Sequence, residues 1–186
     1  MVNRPKAIGT AAETAVVRAA RTNGFGTAER RALAGAADRG DILLCPGAIL
    51  EVKGGDAARH ASDLDIDRWL NETDTERRHA DADIALLVVQ RRGVGAPNAH
   101  RWWAWIRLGN LEQLRAPEPR CRVCSCTDAQ ACLGGCAWRD NEPGPPCCTS
   151  CDPQDTNHLT PIRLLLADAL HLLRAAGYGD PNQPHP

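Results

Sequence analysis

The sequence predicts an α/β fold: a mixed sheet flanked by helices, with a small cysteine-rich metal-binding module and a C-terminal helix attached. Three observations predict it. Apolar residues recur first with helical spacing, then in short runs broken by Gly and Pro, then in a second helix followed by two further runs. The run IALLVV at 84–89 is uninterrupted and rich in branched residues, as a strand buried on both faces requires. From Ala116 the composition turns abruptly to Pro, Cys and Gly, and eight of the nine cysteines fall between residues 121 and 151.

Residues 6–22 place Ile8, Ala12, Ala15, Val16 and Ala19 on one helical stripe, with Glu13 near the middle and Gly24 as the stop signal. Apolar runs at 29–34, 41–44 and 48–53 are separated by Gly35, Gly40 and Pro46-Gly47, which predicts neighbouring strands joined by tight turns. A helix within 63–79 carries Leu64, Trp69 and Leu70 among many charges, and the stretch DIDRWLNETDTERRHADAD reads as a solvated face. After IALLVV and the turn-prone GVGAPN, RWWAWIRL predicts another strand. Strand alternation puts Trp103 and Trp105 on one face with Arg101, and Trp102 on the other with Ala104 and Ile106. Tryptophans so placed read as packing or a dimer contact before they read as platforms for bases. Near the end, Thr160 as N-cap, Pro161 at the first helical position and Gly177 as stop frame a helix through Ile162, Leu165, Leu166, Ala169, Leu170 and Leu173. The tail GDPNQPHP reads as disordered. The divisions are a core at 1–115, a cysteine-rich module at 116–155, and the C-terminal helix and tail at 156–186.

Composition excludes several classes. The chain is 43% apolar, enough for a core, and its net charge of -1 gives no global field toward nucleic acid or an anionic membrane. No segment reaches the roughly 18 apolar residues of a membrane span, and MVNRPKAIGT lacks the apolar stretch of a signal peptide. A cytoplasmic protein is expected, in which clustered cysteines ligate metal more readily than they form disulfides.

Chemistry concentrates in GDILLCPGAILEVKGG, residues 40–55. Glu51 and Lys53 are two apart on a strand and share a face, and Asp41, at the start of the preceding strand, can reach that face across about 5 Å. Converging carboxylates make a hard-oxygen site for Mg²⁺ or Mn²⁺, and a nearby Lys can orient water or stabilise developing charge, as phosphodiester hydrolysis requires. On its own, so short a motif reads as solvated strand-end charges, with Lys53 paired to Glu51 or Asp41. Arg30 and Arg31 are candidate phosphate contacts. Adjacent on a strand, they face opposite ways, so one at most points into the site and the other reads equally as an exposed pair with Glu29 or Asp38. Residues 1–53 hold eight basic and five acidic side chains, a local net charge of +3.

The helix with Glu13, the pair Arg30-Arg31, Gly40-Asp41 and Glu51-x-Lys53 together resemble the PD-(D/E)xK nuclease superfamily. Within it they resemble the archaeal-type Holliday junction resolvases and their bacteriophage relatives. The resemblance covers about residues 6–108. It implies a restriction-endonuclease-like sheet, Mg²⁺ or Mn²⁺ held by Glu13, Asp41 and Glu51, and Lys53 assisting the attacking water. Gly40 stands where the superfamily's name has proline, a change that leaves the coordinating acid in place. By the same resemblance the substrate is branched DNA, and the two-fold symmetry of a four-way junction implies a homodimer.

Cys121-x2-Cys124 and Cys148-x2-Cys151 are two knuckles with the spacing of a tetrahedral Zn²⁺ site, which would supply folding energy that this segment lacks. Cys126, Cys132, Cys136 and Cys147 could form a second site, replace an assigned ligand, or make the cluster an iron–sulfur one. His158 is the one histidine near enough to substitute. The Thr127-Asp128, Gly134-Gly135-Cys136 and Trp138 signposts look like those of Cys-rich tails in phage-associated proteins. The module reads equally as a structural clip or a DNA-binding finger, and lone Cys45 as a buried small residue. The function expected is metal-dependent endonuclease on branched DNA. The alternatives are a nuclease with another DNA substrate and a catalytically inactive zinc-bearing DNA-binding or assembly protein.

Overall fold

The computed structural model describes residues 4–32, 35, 38–115, 121, 123–124, 126, 131–132, 135–139, 147–151 and 161–179. The expectations for Leu33, Ala34, Thr127-Asp128, Gly134, His158, Thr160 and the tail from Asp180 lie outside these residues. The chain divides into two compact units, one of residues 1–105 and 163–186, the other of 106–162. Among the described residues no helix is long and apolar enough to cross a membrane.

The elements are α1 (Arg4–Thr22), β1 (Glu29–Arg30), β2 (Ile42–Cys45), β3 (Ala48–Lys53), α2 (Gly55–Arg59), α3 (Asp63–His79), β4 (Ile84–Val89), a 3₁₀ helix (Ala96–Arg101), β5 (Trp103–Arg107), α4 (Leu108–Arg115), β6 (Pro161–Leu165) and α5 (Leu166–Ala175). The six strands form one mixed sheet in the spatial order β1 to β6. The pairs β1–β2, β2–β3 and β4–β5 are antiparallel and β3–β4 is parallel. A parallel pair needs a crossover, which α2 and α3 supply.

Register fixes which side chains meet. Glu51 pairs with Leu87 and Lys53 with Val89, so all four share one face. Ile66, Trp69 and Leu70 of α3 pack against Leu87 and Val89 there, which lays α3 over the face that carries Glu51 and Lys53. β4 is buried along its whole length, as its unbroken apolar run predicts.

Close approach sets the position of α1. A Cβ on Gly54 would lie 2.5 Å from the Ala12 Cβ, so only glycine after β3 lets α1, with Glu13 next to Ala12, come this near. Gly40 has φ +81°, and a Cβ there would meet the Leu50 carbonyl oxygen at 3.3 Å. Proline cannot adopt this φ, which gives a physical reason for Gly40 before Asp41.

The structure corrects the sequence reading in several places. The segment from Pro161 to Leu165 is a strand, and α5 starts at Leu166 with Leu165 as a cap that makes no side-chain bond. Ile162 and Leu165 fit helical spacing by coincidence. The sheet wins them for an outer strand, whose first position tolerates proline. Gly177 does stop the helix: its N–H bonds to the Arg174 carbonyl at 3.0 Å and the Tyr178 N–H to Leu173 at 3.0 Å. Along 29–34 only Glu29–Arg30 is regular strand among the described residues, and the RWWAWIRL strand begins at Trp103, Arg101 belonging to the 3₁₀ helix. On α1 the buried residues are Ala12, Ala15, Val16, Val17 and Ala20, while Ile8 is exposed. Leu64 is also exposed, and Ile66 takes its place on the inner face of α3.

Trp102, Ala104 and Ile106 are buried. Trp103 and Trp105 are half-buried, and the guanidiniums of Arg91 and Arg163 lie 4.5 Å and 4.6 Å from the Trp103 ring centre. Cys45 is buried, as read.

Candidate functional sites

Asp41 lies one residue before the Ile42–Leu50 pair, at the mouth of the β2–β3 ladder. Its Oδ2 accepts the Val52 N–H at 2.9 Å, which fixes the carboxyl against β3. Lys53 Nζ donates to Glu51 Oε1 at 2.8 Å and to Glu72 Oε2 at 3.2 Å, and lies 5.9 Å from the Trp69 ring centre. Glu51 thus sits between Asp41, with which it shares a hydrogen bond, and Lys53.

Electrostatics there is strained by burial. Burial pushes the Asp41 carboxyl up to about 7, helped by the neighbouring Glu51 and Glu13 charges and opposed by the Val52 N–H. Burial likewise pushes Glu51 up to about 7, with Lys53 pulling it down and Glu76 pushing it up. Burial pulls the Lys53 ammonium down, but Glu51 and Glu72 outweigh it and hold this group above its ordinary value. Buried like charges this close resist ionising together, and a proton or a further cation relieves the repulsion.

Glu13 reaches the edge of the cluster from α1, and Arg30 Nε donates to its Oε2 at 2.6 Å. Arg30 so approaches the acids through Glu13. Arg31 turns elsewhere: its Nη1 donates to the Arg39 carbonyl at 2.6 Å, and its N–H to the Asp41 carbonyl at 2.8 Å. Neither arginine forms the pair with Glu29 or Asp38 read from the sequence.

Sequence reasoning missed two residues of α3. Glu72 and Glu76, one turn apart, point back over Lys53 and Glu51, which overturns the reading of this stretch as a wholly solvated face. The signal was available, since Glu72, Glu76, Trp69 and Thr73 share the helical side that packs on the sheet. Glu76 and Glu51 share a hydrogen bond, burial raises Glu76, and its Oε2 is buried without a hydrogen-bond partner. The acids meet in pairs, Asp41 with Glu51 and Glu51 with Glu76, and among the described residues no three carboxylates bring one oxygen each within 4.8 Å of one another, so a divalent cation such as Mg²⁺ would have to draw them closer. A cavity of about 430 Å³ opens alongside, lined by Asp38, Arg68, Asn71, Glu72, Glu76 and His79 among others.

In the second unit the cysteines make their own core: Cys121, Cys126, Cys147 and Cys148 are buried, with Val123, Cys132, Cys136, Trp138 and Cys151 packed around them. A bridge between Trp138 and Cys148 ties the second knuckle to the segment before it. All eight thiols are free of disulfides. Cys121, Cys124, Cys148 and Cys151 bring their sulfurs within 4.8 Å of one another, so the paired knuckles converge and can hold a metal ion such as zinc. Burial raises the Cys121 thiol, but backbone N–H groups of Cys124, Cys148 and Val123 outweigh it and bring it to about 6. Hydrogen bonds of this kind ready a thiolate for metal.

Comparison of the chain with models of known protein families, with curated proteins and with solved structures finds no match.

Proposed function

We propose that the chain is a metal-dependent endonuclease of the PD-(D/E)xK type, hydrolysing DNA phosphodiester bonds with branched DNA such as a Holliday junction as substrate. One observation carries the reading: Glu51 interacts with Asp41 on one side and Glu76 on the other beside the Lys53 ammonium, and a buried Glu76 oxygen is left unsatisfied. Asp41 and Glu51, with Glu13 at the edge, would hold Mg²⁺ or Mn²⁺. Such an ion lowers the pKa of bound water and offsets the charge of the scissile phosphate. Lys53, braced by Glu51 and Glu72, is positioned to orient the attacking water or donate to a phosphate oxygen. Arg30 can exchange Glu13 for a phosphate, since its guanidinium is partly exposed. Preference for branched DNA, and the homodimer that two symmetric cuts require, come from the resemblance of the motifs.

The test is cleavage of a labelled four-way junction beside its linear duplex, with Mg²⁺ or EDTA and with Lys53→Ala alongside. Paired symmetric nicks on the junction alone, lost with EDTA and with Lys53→Ala, support the full reading. Cutting of both substrates leaves a nuclease with another DNA specificity. A second reading, a zinc-bearing DNA-binding or assembly protein with an inactive core, is favoured by the way Lys53 and Arg30 already pair with acids of the cluster. Tight binding without cutting would select it.

A further inference from the structure

The cysteine cluster offers more sulfur than one tetrahedral ion can use. Two foursomes each gather their sulfurs within 4.8 Å: Cys121, Cys124, Cys148 and Cys151, and separately Cys124, Cys126, Cys132 and Cys148. They share two members. Among them, Sγ of Cys124 lies 3.5 Å from Cys132 and 3.7 Å from Cys148, Cys132 lies 3.9 Å from Cys148, and Cys148 lies 3.6 Å from Cys151. A zinc ion with bonds of about 2.3 Å to four sulfurs sets tetrahedral edges of about 3.8 Å. Each separation is one such edge.

We propose that the module holds two zinc ions in a six-cysteine cluster, with Cys124 and Cys148 as thiolates bridging both metals. Cys121 and Cys151 complete one tetrahedron, and Cys126 and Cys132 the other. The edge common to both is the 3.7 Å contact between the Cys124 and Cys148 sulfurs.

Charge favours the second ion. Loading both metals turns six thiols into thiolates and releases six protons, so four positive charges meet six negative ones and the cluster carries a net charge of about -2. A single zinc on four thiolates carries the same net charge, so the second metal adds no uncompensated charge while it engages Cys126 and Cys132. The contacts argue against an iron–sulfur cluster. With inorganic sulfide between two or more irons, thiolates on different irons stand well beyond one tetrahedral edge, whereas each foursome here lies wholly within 4.8 Å. Cys136 and Cys147 stand outside both foursomes. Cys136 lies beside the second, its sulfur 3.7 Å from Cys126 Sγ and accepting the Cys132 N–H at 3.3 Å, but it completes no foursome, and Cys147 donates to the Cys148 carbonyl at 3.7 Å.

The assignment is independent of the nuclease reading and is tested by metal counting on the full chain, expressed with added zinc. Two zinc ions per chain are expected, falling to one in the Cys126→Ser, Cys132→Ser double variant, and to one or none in Cys124→Ser or Cys148→Ser. One zinc per chain in the parent protein, unchanged in the double variant, would overturn it, as would iron with acid-labile sulfide. Because bridging variants can fail to fold, ¹¹³Cd substitution of the unmutated chain gives a separate readout. Two cadmium resonances coupled to each other through shared thiolates are expected, and a single or uncoupled resonance would sink the proposal.

Discussion

At the scale of residues, the acids on β3 and before β2 are buried close enough that ionising both is costly, a cost that a proton or a bound cation relieves. On the nuclease proposal, Asp41→Asn and Glu51→Gln should each lower Mg²⁺-dependent cleavage by at least about 10²-fold, since each would remove a ligand from an ion that offsets transition-state charge. Binding of DNA in Ca²⁺ should stay within a few-fold of the parent, and normal cleavage by either variant would show the site to be misplaced. Glu76→Gln keeps the shape and removes charge from the buried oxygen, so a rise in the Mg²⁺ concentration for half-maximal cleavage is expected, with little effect on DNA affinity. The same groups set a pH dependence of stability. Asp41 and Glu51 rise from ordinary values near 4 to about 7 on folding, so the folded state binds more protons across that window. Their favourable contribution is present below about pH 4 and is lost as pH climbs through 7, on the order of a few kcal/mol for the cluster. Without divalent cation, Tm should therefore fall between pH 5.5 and 8, and Mg²⁺ or Asp41→Asn should flatten the slope. A metal-free Tm that rises across this range would contradict the burial described for the two carboxyls.

At the scale of elements, α3 and the turn after β3 aim the site. The α3 N-terminus is closed by a capping box in which Ser62 and Asp65 bond reciprocally, so Ser62→Ala should cost about 1 kcal/mol in denaturant unfolding. Gly54→Ala forces α1 away from β3 through the Ala12 contact, and Glu13 moves with it. Weaker Mg²⁺ binding is expected alongside lost stability, whereas a purely local cost would lower Tm and leave metal affinity alone. How much of this was legible in the sequence follows from the range of each interaction. α1, the β2–β3 pair, α3 and β4 were readable because local spacing and Gly or Pro punctuation encode them, and Glu51 and Lys53 met because strand alternation compels it. β6 was not readable, because IRLLL fits a helix or a strand and the sheet decides between them. Glu76 was missed for a related reason. Its role depends on a contact across 25 positions of sequence, from Glu51 on β3 to the inner side of α3, and a charged helix read by itself looks solvated.

At the scale of the molecule, two sites of opposite chemical character lie in two units with separate cores. One core is apolar, built from residues such as Ile66, Leu70, Leu87 and Val89. The other holds, among the described residues, a cluster of cysteines with Val123 and Trp138 against them, which a bound metal would tie together. Carboxylates select hard ions and thiolates soft ones, so occupancy of the two sites should be separable. Stripping zinc with a thiophilic chelator, or substituting Cys121→Ser or Cys148→Ser, should abolish amide-exchange protection across the described parts of 121–151 while β3, β4 and α3 keep theirs. Removing Mg²⁺ alone should stop cleavage and leave protection in the cysteine unit unchanged. Global unfolding on zinc loss would mean that the apolar core borrows stability from the metal. The opposite result, full protection of the cysteine unit without metal, would mean that its sulfurs pack as an ordinary core and that zinc is a guest.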